Sequence, residues 1–228
     1  MGTLTLSEFR DEVKSNLGER DDVSDARLNR NINLAQTACA RKAKFEELNR
    51  IGTFTLTPTS VPADDKFLDF GTDVRELYSV RITTDGKERK LVRISQRLFD
   101  KLYPDPTIRT GTPEQYILWN NIIEFMPVPD AVIVLESRWC IWPAVLSSDT
   151  ATSDLDQKDD ILIAWATGRI MSQLGNIEGA RFQYAIFNRW FKDAKLEEVE
   201  KPDMTRVSET QTTSMDSQPH LNPFNKTG

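Results

Sequence analysis

The chain has 228 residues, 39% hydrophobic and 28% charged, with a net charge of −6 and a pI near 5.0, which suits a soluble globular protein with one substantial core or two small ones. Such an acidic balance excludes a grip on nucleic acid by phosphate neutralisation, which needs clustered Lys and Arg, although an acidic wall can surround DNA without holding it. The two cysteines, Cys39 and Cys140, read as free buried thiols rather than a disulfide framework. No apolar run reaches the ~18 residues of a membrane span, and no signal peptide precedes the first element, so cytoplasmic synthesis is expected.

Taken in order, the chain opens on a capping box. Thr5 stands three residues before Glu8, so each side chain can reach the other's backbone N–H and start a helix. Leu6, Phe9, Val13 and Leu17 then mark one helical face, and Gly18 stops it. Asp21, Asp22 and Ser24 offer the next start. Leu28, Ile32, Ala35, Cys39 and Phe45 carry the helical period to about Asn49, with Gly52 as the expected stop. Arg27, Arg30, Arg41, Lys42 and Lys44, mixed with Glu46 and Glu47, read either as a solvated face or as a basic stripe that meets an acidic neighbour.

From Thr53 to Thr57 polar and apolar residues alternate, a strand signal. Pro58 and Pro62 flank a loop. Leu77–Thr83 and Lys90–Ile94 are predicted strands around the turn dipeptide Asp85-Gly86. Ser95 is placed to cap a short helix, Gln96–Tyr103, which Pro104 ends. Gln115–Trp119 and Ile122–Met126 form a second hairpin over Asn120-Asn121, and Val132–Cys140, apolar on both faces, is predicted as a central strand.

Two helices follow within Leu155–Glu198. Asp154 and Asp156 are the expected N-cap residues, and Asp159 and Asp160 fall in the first turn, where the helix dipole favours negative charge. Gly175 ends the first helix and Asn176 caps the second. There Ala180, Tyr184, Phe187, Phe191 and Ala194 share one stripe, which must be buried inside this chain or against another.

Helices, then strands in hairpin order, then helices argue for an α+β fold. The expected architecture is an antiparallel helical bundle of the N- and C-terminal helix pairs (residues 1–52 and 147–198), with an inserted antiparallel β-rich domain (53–146) and an extended C-terminal arm (199–228). The arm is rich in Ser, Thr, Gln, Asn and Pro and cannot fold alone. Its spaced apolar residues Met204, Val207, Met215, Leu221, Pro223 and Phe224 favour a partner-binding segment over a frayed tail.

Catalysis has little to work with. The one histidine, His220, lies in the arm, so Ser–His and Cys–His pairs have no held base. Two distant cysteines and one histidine build no zinc site, and no Gly-rich phosphate cradle is present. The Asp154–Asp160 acids fail the EF-hand pattern, because Lys158 occupies the third ligand position. No catalytic residue, cofactor or metal is expected, and a DNA-binding regulator or a hydrolase is a minor alternative.

The order of several stretches resembles the head-to-tail adaptor (connector) proteins of tailed bacteriophages, including the tubular adaptors of short-tailed phages. These are Leu4-Thr-Leu-Ser-Glu-Phe9, Asn31-Ile-Asn-Leu-Ala35, Thr110-Gly-Thr-Pro-Glu-Gln-Tyr116, Glu124-Phe-Met-Pro-Val-Pro-Asp130, Trp142-Pro143 and Leu146, then the closing helices with Ala164, Ala166, Leu174, Ala180, Phe187 and Phe191. That resemblance implies a structural virion protein: a homo-oligomeric ring, commonly of twelve copies, beneath the portal protein. Tail or nozzle proteins would follow below, with DNA passing through the lumen and no membrane involved. A stopper, tail-completion or tail-tube protein is the alternative. Phe182, Phe187, Trp190 and Phe191 are expected to divide between the internal core and subunit contacts.

Overall fold

The capping box forms as its spacing requires. In the computed structural model, which describes residues 4–58, 67–71, 73–84, 86, 88–105 and 108–200, Thr5 N donates to the Glu8 carboxylate at 2.8 Å and Glu8 N donates to Thr5 Oγ1 at 3.4 Å. Helix α1 (Leu6–Asn16) buries Leu6, Phe9 and Val13, and Gly18 follows its end at φ +76°, a conformation that costs glycine nothing.

Helix α2 (Asp25–Lys42) ends well before Asn49. Ala43 turns to extended backbone (φ −141°, ψ 162°), and a 3₁₀ turn, Glu46–Leu48, leads straight into strand β1 (Asn49–Leu56). Phe45 and Leu48 keep the helical period but reach the core from this turn. Phe45 meets the ring of Phe191 edge-on, with centroids 6.0 Å apart. Gly52 is no helix stop either. It lies inside β1 beneath Trp139, where an added Cβ would sit 2.6 Å from the indole ring.

The strands form two four-stranded sheets rather than one. In the first the order is β1, β8 (Ile133–Ile141), β3 (Val74–Ile82), β4 (Arg89–Lys90), all antiparallel, with β8 central as its apolar faces predict. In the second the order is β2 (Phe67–Asp69), β7 (Ile122–Met126), β6 (Gln115–Trp119), β5 (Val92–Arg93). The expectation of a purely antiparallel β region is corrected here, because β5 pairs parallel to β6. Leu91 is the reason. Its N–H bonds the Val80 carbonyl of the first sheet at 2.9 Å and its side chain is buried in the sheet core. The chain therefore leaves one sheet at Lys90 and joins the other at Val92. Hairpin β6–β7 turns over Asn120 and Asn121, both at positive φ (48° and 65°), as a two-residue hairpin turn demands. Ser95 caps helix α3 (Gln96–Leu102) through Leu98 N.

The closing helices are α4 (Asp159–Gln173) and α5 (Ile177–Glu200). Lys158, not an aspartate, holds the N-cap position of α4. Asp154 is engaged elsewhere, accepting from Ala144 N at 2.8 Å and from Arg50 at 3.4 Å. Asp159 accepts from Leu4 N at 3.0 Å and so ties the start of α1 to that of α4; burial pushes its carboxyl above the usual range. Asn176 caps α5 by accepting from Gly179 N at 3.0 Å. Gly168 lets α4 and α5 approach closely, since a Cβ there would lie 3.2 Å from the Gln183 Cβ.

The result is a mixed α+β fold with five α-helices among the described residues. One hydrophobic cluster draws on α1, α2, α4 and α5, and the end of β8 enters it through Cys140. A second draws on both sheets and includes the aromatic trio Phe54, Phe70 and Trp139, with centroids 4.7 to 5.7 Å apart.

Both cysteines are free and buried, and desolvation pushes the Cys39 thiol up to about 12. The thiolate, the reactive form, is therefore scarce at pH 8. A colorimetric thiol reagent is expected to label neither cysteine in the folded protein and both once denaturant unfolds it.

Candidate functional site

Among the described residues no three His, Cys, Asp or Glu side chains converge to hold a metal ion. One open groove, of about 610 Å³, runs along β3, β4 and β8 and carries Arg81, Arg89, Lys90 and Arg138. Its charge is mostly spent locally: Arg81 binds Glu136 at 2.7 Å, Arg89 binds Glu114 at 2.7 Å, and Arg138 lies 3.8 Å from Glu136. Such exposed pairs are mutually neutralising and contribute little stability.

The surface of α5 is more distinctive. Its inward stripe is buried at Ala180, Phe187, Phe191 and Ala194, as the spacing predicts, with Tyr184 half-buried. Phe187 and Phe191 stack at 5.4 Å, and the Lys42 ammonium lies 4.7 Å above Phe187. These two aromatics are held within the chain's own core. Phe182 and Trp190 are not: they are 66% and 41% exposed. With half-buried Ile186 they step by four residues along one flank of the helix. Arg181, Arg189, Lys192 and Lys195 flank them, all exposed. The arm residues Met204, Val207, Met215, Leu221, Pro223 and Phe224, and His220, lie outside the described residues.

The basic residues expected on the second helix split between both readings, with Lys44 just past its end. Lys44 pairs with Glu76 at 2.6 Å and Lys42 caps the Phe187 ring, while Arg30 is exposed.

One polar node escaped the pattern of the sequence. Lys158 is buried; its ammonium donates to Glu47 at 2.6 Å, stands 3.9 Å from Glu198 and lies 5.0 Å from the Phe45 ring. Glu198 in turn accepts from Glu46 N at 3.3 Å. This cluster fastens the last turn of α5 to the 3₁₀ turn ahead of β1. No local signal marks it, because a lysine among aspartates at a helix start ordinarily reads as solvated.

No helix among the described residues is long and apolar enough to cross a membrane. In comparisons with known proteins, a family model described as SU10 adaptor protein matches residues 4–214 of the chain. No curated protein matches it significantly.

Proposed function

The chain belongs to the SU10 adaptor protein family, and from that membership we propose that it is a structural virion protein acting as a phage head-to-tail adaptor. In this reading copies form a ring beneath the portal, connect the capsid to the tail, and let DNA pass through the lumen. The observation that carries it is the extent of the match, which takes in both cores and runs beyond α5. An acidic chain suits a channel wall, since it leaves DNA phosphates unbound.

The domain reading follows the same line. The N- and C-terminal helix pairs act as a bundle, the β-rich segment extends toward the tail, and residues 199–228 act as an arm. Supporting the arm, the family match continues fourteen residues past the end of α5. An arm of this composition orders only on a partner, a coupled folding and binding step.

Cryo-electron microscopy of the phage neck tests the assignment. A ring of this chain seated directly below the portal is the expected result, and density for it elsewhere in the virion overturns the reading. Truncation after Glu200 tests the arm. The shortened chain is expected to fold with an unchanged far-ultraviolet spectrum yet to fail to join portal rings; assembly at the full-length level removes the arm from the account.

A further inference from the structure

We infer that the outer face of α5 docks on the outer face of α1 and the α1–α2 turn of a second copy, head to tail. This rests on the adaptor-ring reading above and names the surface that would build the ring.

Exposure on α5 is both apolar and basic. Phe182 and Trp190 offer the apolar part. Arg181, Arg189, Lys192 and Lys195 offer the charge, against Glu178, Asp193 and Glu197 among the exposed residues of the helix. None of the four cations makes an ion pair with a described residue. Exposed aromatics on a helix whose exposed cations pair with no described residue are what an interface anchor with a polar rim looks like.

The complement lies on the same chain but on another helix. Asp11, Glu12, Glu19 and Asp21 are exposed along α1 and the turn that follows, and none of them makes an ion pair with a described residue. The basic residues of that region are already taken: Arg10 by Asp149 at 2.6 Å, Lys14 by Asp25 at 2.8 Å, Arg20 by Asp22 at 2.6 Å. What remains on this surface is uncompensated negative charge.

A single chain cannot bring the two faces together. Helices α1 and α5 each pack on α4, while their outer faces point away from the shared core. Two different, complementary patches on one chain make a heterologous contact, and such contacts generate rings when the rotation closes. Opposite charge across the contact sets which faces meet and rejects the reverse pairing.

The test uses the full chain, with isotope-labelled and unlabelled copies mixed and coupled by a zero-length carbodiimide, and reads the cross-links by mass spectrometry. Links between copies are expected from Asp11, Glu12 or Glu19 to Lys192 or Lys195. The yield should fall at least about tenfold in the variant Asp11→Lys/Glu12→Lys and in the variant Arg181→Glu/Arg189→Glu, since each then presents like charges to itself. An equimolar mixture of the two variants should restore the yield, because each supplies the face the other lacks. All four sites are exposed, and unchanged melting temperatures show that the variants fold. Multimers that cross-link through other residues, or a mixture that does not restore the yield, overturn this interface and leave the ring standing. The absence of multimers at every concentration removes the ring reading together with it.

Discussion

Replacing Phe187 by alanine is expected to lower the stability of the fold by about 4 kcal/mol, whereas Phe182→Ser is expected to change it by less than about 0.5 kcal/mol. The two residues share a helix and differ in what they touch. Phe187 is 1% exposed, stacked on Phe191 and covered by Lys42, and Phe191 in turn carries Phe45 from the far side of the core. Removing its ring leaves a cavity bounded by α2, the 3₁₀ turn and α5, none of which can collapse without disturbing the others. Phe182 has no comparable neighbours and loses little area from water on truncation. Urea unfolding of both variants measures the difference. Equal losses would mean that α5 is seated in another rotation, with its aromatic flank inward. The same pair separates folding from assembly: Phe182→Ser should fold normally while weakening contacts between copies.

That division shows what the sequence carries and what it leaves open. Period alone places Ala180, Phe187, Phe191 and Ala194 on one stripe and requires it to be buried, and the structure buries it inside the chain. Wherever the determining partners lie within a few residues, the sequence is legible. The Thr5–Glu8 box, the Ser95 cap and the Asn120-Asn121 hairpin are all of this kind. It becomes illegible where a distant residue decides. Phe45 and Leu48 continue the period of α2, yet the pull of Phe191 and the pairing of Asn49 with Cys140 take the chain out of the helix at Lys42. The run from Lys90 to Ile94 reads as one strand because nothing local says that Leu91 bonds Val80 while Val92 turns to β6. Gly52 was legible as a special position but not as the floor under Trp139. For the site, the aromatic residues of α5 are visible as a set, while its basic residues draw no notice. The partition of the aromatics between core and surface depends on the rotation of the helix about α4, which tertiary packing decides.

Lys158→Met is expected to cost about 2–3 kcal/mol, near the lower end of what breaking a buried ion pair costs. The ammonium pairs with Glu47 at 2.6 Å and lies 3.9 Å from Glu198, and its side chain is 9% exposed against 24% and 13% for those carboxylates. Without it, the half-buried Glu47 carboxylate loses its cation, and one of its oxygens already lacks a hydrogen-bond partner among the described residues. Methionine fills the same space, so the loss reports charge rather than cavity. A drop of about 6 °C in melting temperature is the corresponding readout for a protein of this size. The loss should also be local: amide exchange should quicken most in the last turn of α5 and in the turn Glu46–Leu48, the two segments the lysine joins. The triple variant Lys158→Met/Glu47→Gln/Glu198→Gln, which neutralises both carboxylates as well, should regain most of the stability, since an ion pair replaced by neutral groups of similar shape costs far less than one broken on a single side. If the single variant is as stable as the parent, the node is solvated and the end of α5 is held by packing alone. If the triple variant regains nothing, the lysine acts through its contact with the Phe45 ring.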